Sequence, residues 1–424
     1  MKKLNFEASV LVTALTYFLT SLAGLILFFI LYQNFDINVV GRYSIYQAIL
    51  FFGSKIISLG TQYSLMKFVS HGDEGKVNIN YLFSAMLIVT VTFFIAVLLF
   101  SFDIINSFFQ IIPYINVVIE LSITILLYAI NYLLKSFFNS YKDFIYYNIT
   151  FGLRTPLTII TIFLFYYEVL TQFYEIFLYV EIALLLINIF LIFKRRKKYI
   201  IQTFNLTLKN QLKYIRSSFL SSFFSEINFK VDVYCVAVLL GEYFAGIYAL
   251  IAILGDGMLG IIYLIRNVIT PSITEENVIN GKREFINFAR KSLFPSALLT
   301  FGTSFLASIV IYFGSQYIEL LSVLKNSGFI PSLIILFGLS FLSFFIVFEN
   351  ILLQLNNPGL HTFGLIILTI SNISLNIVLI DYELIGITIA TIVSFAIYCF
   401  YIFYYVNTRF KLNILKALIT KNIS

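Results

Sequence analysis

Residues 217–271 hold Glu226, Lys230, Asp232, Asp256 and Arg266 inside two apolar runs, each long enough to cross a bilayer. A charge at bilayer depth costs about 2.5–3.5 kcal/mol, so five facing lipid would cost on the order of 12–17 kcal/mol. These groups must face protein or water. Their chemistry is that of exchange: a carboxylate there can take up and release a proton or a metal cation, and a base can neutralise an anion. Helical spacing puts Ser218, Ser222, Glu226 and Lys230 on one stripe, with Ser221, Ser225, Asn228 and Asp232 beside it. Leu220, Phe224, Ile227 and Val231 form the apolar back of the same helix. The next span repeats the pattern with Tyr248, Asp256, Gly260, Tyr263 and Asn267 on one face. Lys55 shares a face with Ser44, Ser58 and Gln62, and Arg154 lies among Thr150, Thr158 and Thr161. Glu120, Glu181 and Glu349 add single acids to other spans. Structural roles compete for some of these: Glu226 and Lys230 are spaced to pair within one helix, Asp256 and Arg266 to hold neighbouring helices in register, and Arg266 and Glu349 to snorkel. Lys55 and Arg154 have no opposite charge in their own spans, which favours a functional role.

The elements that position these residues are membrane helices. The chain has 424 residues, 60% hydrophobic and 12% charged, with a mean hydropathy of +0.94. Soluble domains are about half apolar and about a quarter charged. Twelve spans are expected, at 10–33, 43–66, 81–103, 111–134, 144–167, 172–193, 217–240, 244–270, 291–313, 330–354, 361–380 and 384–406. The first is too long for a signal-peptide core and is read as an uncleaved helix. With the N-terminus cytoplasmic, 22 of the 28 Lys and Arg residues fall on the inside, which places both termini there. The basic run 194–198 then reads as a topology anchor, and the net charge of +7 does not point to nucleic acid. Cys235 and Cys399 read as buried small hydrophobes. No phosphate-binding loop, nucleophile motif or metal-ligand cluster occurs, so transport is expected rather than catalysis, with no cofactor beyond a coupling proton or cation.

The chain also looks doubled. Residues 40–44 (VGRYS) recur 205 positions later as 245–249 (AGIYA), and 150–153 (TFGL) recur 212 positions later as 362–365. With six spans per half, this predicts lobes at 1–193 and 217–424 joined by a basic linker at 194–216.

Gly41-Arg42-Tyr43 with Gly60 and Lys67-Phe68-Val69 resembles the opening of polysaccharide transporters, as do Asp232, Leu239 to Glu242, Gly246 to Ala249 and Pro271 their seventh and eighth helices. Leu375-Asn376, Gly386-Ile387 and Ala390-Thr391 resemble their eleventh-to-twelfth helix junction. The chain thus resembles the polysaccharide branch of the multidrug/oligosaccharidyl-lipid/polysaccharide (MOP) superfamily, including Wzx-type O-antigen flippases. The resemblance implies an all-α polytopic protein with 12 transmembrane helices in two six-helix lobes, a MATE-like fold, around a central cavity lined by helices one, two, seven and eight. It implies alternating access in a bacterial inner membrane. The cargo would be an undecaprenyl-pyrophosphate-linked glycan of O-antigen or capsule type, with membrane lipids, a polysaccharide polymerase and a chain-length regulator as partners. Lys55, Arg154, Lys230 and Arg266 would then meet the phosphates, and Tyr248 and Tyr263 the sugars. Glu226, Asp232 and Asp256 are the candidates for ion coupling. The alternatives are a multidrug cation exporter of the same superfamily and, third, a polysaccharide polymerase or lipid-dependent glycosyltransferase, for which the short outward connections leave little room.

Overall fold

The computed structural model describes residues 6–69, 77–101, 115–140, 143–194, 199–200, 204–228, 230–275, 282–317, 324–346 and 358–410. For some helical residues, Glu226, Arg266 and Asn267 among them, the description covers the backbone alone, and Glu349 lies outside it. Apolar runs in lipid must satisfy their backbone groups internally, so the spans fold as helices. They are α1 (Phe6–Asn34), α2 (Ile37–Ser58), α3 (Thr61–Val69), α4 (Asn80–Ser101), α5 (Ile115–Glu120), α6 (Ser122–Ser140), α7 (Phe144–Tyr166) and α8 (Phe173–Lys194). After them come α9 (Phe204–Ile227), α10 (Val231–Leu239), α11 (Glu242–Glu275), α12 (Lys282–Tyr317), α13 (Phe329–Ile346), α14 (Pro358–Val378) and α15 (Glu383–Phe410). A helix or a broken pair of helices meets each of the twelve expected spans. By length and composition, seven helices among the described residues can cross a membrane, and two shorter apolar ones accompany them.

Among the described residues, three spans are interrupted. The second breaks at Leu59 and Gly60, both with positive φ (48° and 75°), a backbone that suits glycine far better than leucine. The fourth breaks at Leu121, between α5 and α6. The seventh is divided between α9, ending at Ile227, and α10, starting at Val231, and Thr369 donates a hydrogen bond to Asn228 Oδ1 (3.0 Å).

Two compact units result. Residues 1–36 and 45–226 form unit 1; residues 37–44 and 227–424 form unit 2. In unit 1, α7 packs on α1 and α8, and α6 packs on α3, α4 and α8. In unit 2 the corresponding spans repeat these pairings: α14 packs on α10 and α15, and α13 on α11, α12 and α15. The doubling read from the sequence is therefore a doubling of helix contacts. Small polar residues tie the helices where lipid offers no hydrophobic drive. Between α12 and α13, Thr300 bonds Ser343 (3.1 Å) and Ser304 bonds Ser340 (2.6 Å), all buried. Leu98, Leu186, Phe190 and Phe400 remain exposed, as lipid-facing side chains do.

The repeated glycines meet each other inside unit 2. A Cβ on Gly41 would strike the carbonyl of Glu242, and one on Gly246 would strike the carbonyl of Ile37. Ile37 and Glu242 are themselves 205 positions apart, so the contact is reciprocal, as at a local two-fold axis. Only glycine permits this approach. Beside it Arg42 pairs with Glu242 at 3.3 Å, on the exposed side of the crossing.

Candidate functional site

In unit 2 the polar residues gather around Asp232. It is part-buried in the first turn of α10, where the helix N-terminus favours negative charge. Asn376 of α14 donates Nδ2 to its Oδ1 (3.2 Å), and Thr391 of α15 donates Oγ1 to its Oδ2 (3.0 Å). Asn372 of α14 and Tyr248 of α11 also hydrogen-bond the carboxylate. Asn376 Nδ2 is shared with Asn372 Oδ1 at 2.9 Å. Asn372, Asn376, Thr391 and Tyr248 are all buried, and every group bonded to Asp232 among the described residues is neutral. Asn376 Oδ1 is buried with no hydrogen-bond partner among the described residues. Four oxygen-bearing side chains thus converge on one carboxylate, with an acceptor to spare. That is the donor chemistry of a hard cation or a proton. No group of three or more His, Cys, Asp or Glu that could hold a metal occurs among the described residues.

Lys230 stands at the break before α10, with φ −130° and ψ −2°. Its Nζ meets Asp256 of α11 at 3.2 Å. Both partners are partly exposed. The Glu226 and Arg266 side chains fall outside the description, and Tyr263 is half-buried on α11.

Unit 1 holds a second in-span carboxylate, with a different setting. Glu181 of α8 is buried, and Arg154 of α7 meets it at 3.0 Å. Asn131 of α6 donates Nδ2 to the same carboxylate at 2.9 Å. Asn188 in turn donates to Asn131 Oδ1 (3.0 Å) and accepts from Thr150 (2.8 Å). The Arg154 guanidinium also lies 4.0 Å from the centre of the Tyr128 ring. Lys55 is buried with its ammonium 3.4 Å from the centre of the Tyr132 ring and 5.2 Å from that of Phe51. Lys135 approaches the same Tyr132 ring at 4.7 Å, and Phe151 at 5.2 Å. Such ring contacts stabilise a desolvated cation by about 2 kcal/mol.

Sequence reading found Asp232, Tyr248, Lys230 and Asp256, and the structure brings the first two together and pairs the last two. It assigned no site role to Asn372, Asn376, Thr391, Asn131 or Asn188, which are neutral. Asn372 and Asn376, four apart and so on one face of α14, were the signal available.

No family model matches the sequence, and no curated protein matches it. Solved structures do. One is a MATE transporter in complex with MaL6 (TM-score 0.65, 14% identity, covering 98% of each chain). Another is the inward-facing conformation of a multidrug-resistance MATE family transporter of the MOP superfamily (0.65, 14%, 97% of this chain and 94% of that one). The lipid II flippase MurJ in an inward closed conformation matches at 0.65 and 17%, over 96% and 90% of the two chains. The chain has the MATE-like MOP fold and is a multi-pass membrane protein; the structures it resembles are transporters, not enzymes.

The matches correct the branch. MATE structures recur among them, two of them multidrug-resistance transporters of the MOP superfamily, and on that recurrence the polysaccharide-branch assignment falls. With it fall the O-antigen flippase function and the undecaprenyl-pyrophosphate-linked glycan as partner. The physical reasons lie in the residues that suggested them. Gly41 and Gly246, quoted for the resemblance, are crossing glycines that mark the fold rather than a cargo. Two cations assigned to phosphate, Arg154 and Lys230, are already paired with Glu181 and Asp256.

Proposed function

We propose that the chain is an ion-coupled exporter of small organic molecules of the multidrug MATE type, working in a bacterial inner membrane with both termini cytoplasmic. The observation that carries the reading is the setting of Asp232: a part-buried carboxylate bonded by neutral oxygen- and nitrogen-bearing side chains of three other helices. An ion held by Asp232, Asn372, Asn376, Thr391 and Tyr248 would link α10 to α11, α14 and α15, and its loss would loosen that link. Such a differential contact between two states is what coupling requires. Proton and small hard cation both fit the donor set. The inside bias of Lys and Arg supports the orientation. In unit 1, Tyr128, Tyr132, Tyr147 and Phe151 are only half-buried and stand beside Arg154 and Lys135. A face of this polarity belongs to a transport path rather than to lipid, and its rings suit planar organic cargo.

The test is export of a fluorescent dye from vesicles containing the purified chain, under an imposed proton or sodium gradient. Gradient-dependent export is expected, and the gradient that drives it identifies the ion. Dye movement indifferent to both gradients would rule out the coupling.

A further inference from the structure

The first half of α9, residues 204–216, has two chemically opposite sides. Thr207, Gln211 and Ile215 are buried. Gln211 is fixed to α4 by two hydrogen bonds, donating Nε2 to the Tyr81 carbonyl (2.8 Å) and accepting from Ser84 Oγ (2.6 Å). Tyr214 stands edge-on to Phe68, whose ring stacks on Tyr81. The opposite stripe shows Leu206, Lys209, Leu212 and Lys213, all exposed, the two leucines at 58% and 51%.

The hydrogen bonds set the depth of this stripe. The apolar run Asn80–Leu99 has 20 residues, which makes it about 30 Å long, the thickness of the hydrocarbon layer. Tyr81 and Ser84 lie at its first turn and so at the edge of that layer. Gln211 is held at the same level. Lys209 and Lys213, within a turn of it, fall among the lipid headgroups. A face of leucine and lysine at that depth places its alkyl carbons among the ends of the acyl chains and its ammonium groups at the phosphates.

We infer that this face of α9 is a seat for anionic phospholipid. Charge complementarity selects the occupant: two lysines, with Lys194 exposed at the end of α8, favour a headgroup of net negative charge over a zwitterionic one.

The chain contains no tryptophan, so a Leu212→Trp variant of the full chain carries one emitter at the seat. In vesicles of phosphatidylcholine, phosphatidylglycerol brominated near the headgroup end of its acyl chains should quench this emission more than brominated phosphatidylcholine at equal mole fraction. The preference should fall about five-fold for each of Lys209→Gln and Lys213→Gln. A Leu206→Trp variant repeats the reading at a second exposed position if the first fails to fold. Equal quenching by the two lipids would show contact without headgroup selection, and quenching by neither would put the face against water or protein. Either result overturns the seat.

Discussion

Two carboxylates inside the spans, Glu181 and Asp232, are solvated by the protein in opposite ways. Glu181 is buried at 3% exposure and held by the guanidinium of Arg154 and the amide of Asn131. Asp232 is part-buried, and its described partners are two amides and two hydroxyls. A fixed counter-charge leaves Glu181 nothing to gain from an ion. Neutral dipoles leave Asp232 its full charge, together with a spare acceptor at Asn376 Oδ1. The difference separates a carboxylate that holds helices together from one that can exchange its counter-ion, a distinction that charge counting alone misses.

The largest expected effect comes from removing the exchangeable charge. Asp232→Asn preserves the shape and most hydrogen bonds of the site but should lower gradient-driven export at least ~10-fold, a loss of about 1.4 kcal/mol or more of coupling. Thermal unfolding of the purified variant should change little. Glu181→Gln should do the reverse. It strands Arg154, and breaking a buried pair costs about 3–5 kcal/mol, reduced to about 1–3 kcal/mol here because the Arg154 side chain is 30% exposed. Unfolding in detergent measures this loss, and the double variant Glu181→Gln with Arg154→Gln should recover much of it. A reversal of these two profiles would exchange the roles of the carboxylates.

Gly246→Val probes the helix crossing inside unit 2. The side chain has no room at the Ile37 carbonyl, so a destabilisation of about 1–3 kcal/mol is expected, seen as a lower unfolding temperature. Gly41→Val should match it, because the contact is reciprocal. Unequal effects would break that equivalence. The smallest effect belongs to Lys230→Gln, whose ion pair with Asp256 is partly exposed and contributes about 0–1 kcal/mol.

The spans were legible because lipid forces long apolar runs into helices, whatever their neighbours. The doubling was legible in two short repeats, yet the meaning of Gly41 and Gly246 was not, since a repeat does not say that its two copies touch. Partners were hidden for a geometric reason. Helical spacing within one span says nothing of Asp256 on the next, which Lys230 meets at 3.2 Å. Arg154 looked unpaired because its acid lies on the next span. Asp232 stood out by charge, whereas Asn372, Asn376 and Thr391 carry none, and their convergence depends on helices far apart in the chain. The branch was misread in part because Gly41 and Gly246, quoted for it, sit at a helix crossing and carry no information on cargo.

The most direct measurement compares dye export by the Asp232→Asn variant with export by the Glu181→Gln/Arg154→Gln double variant, under one gradient and at equal amounts of folded protein in vesicles. The double variant should retain most of the gradient-driven export and Asp232→Asn almost none. Retained coupling in Asp232→Asn, with its loss in the double variant, would contradict the assignment of the ion site to Asp232.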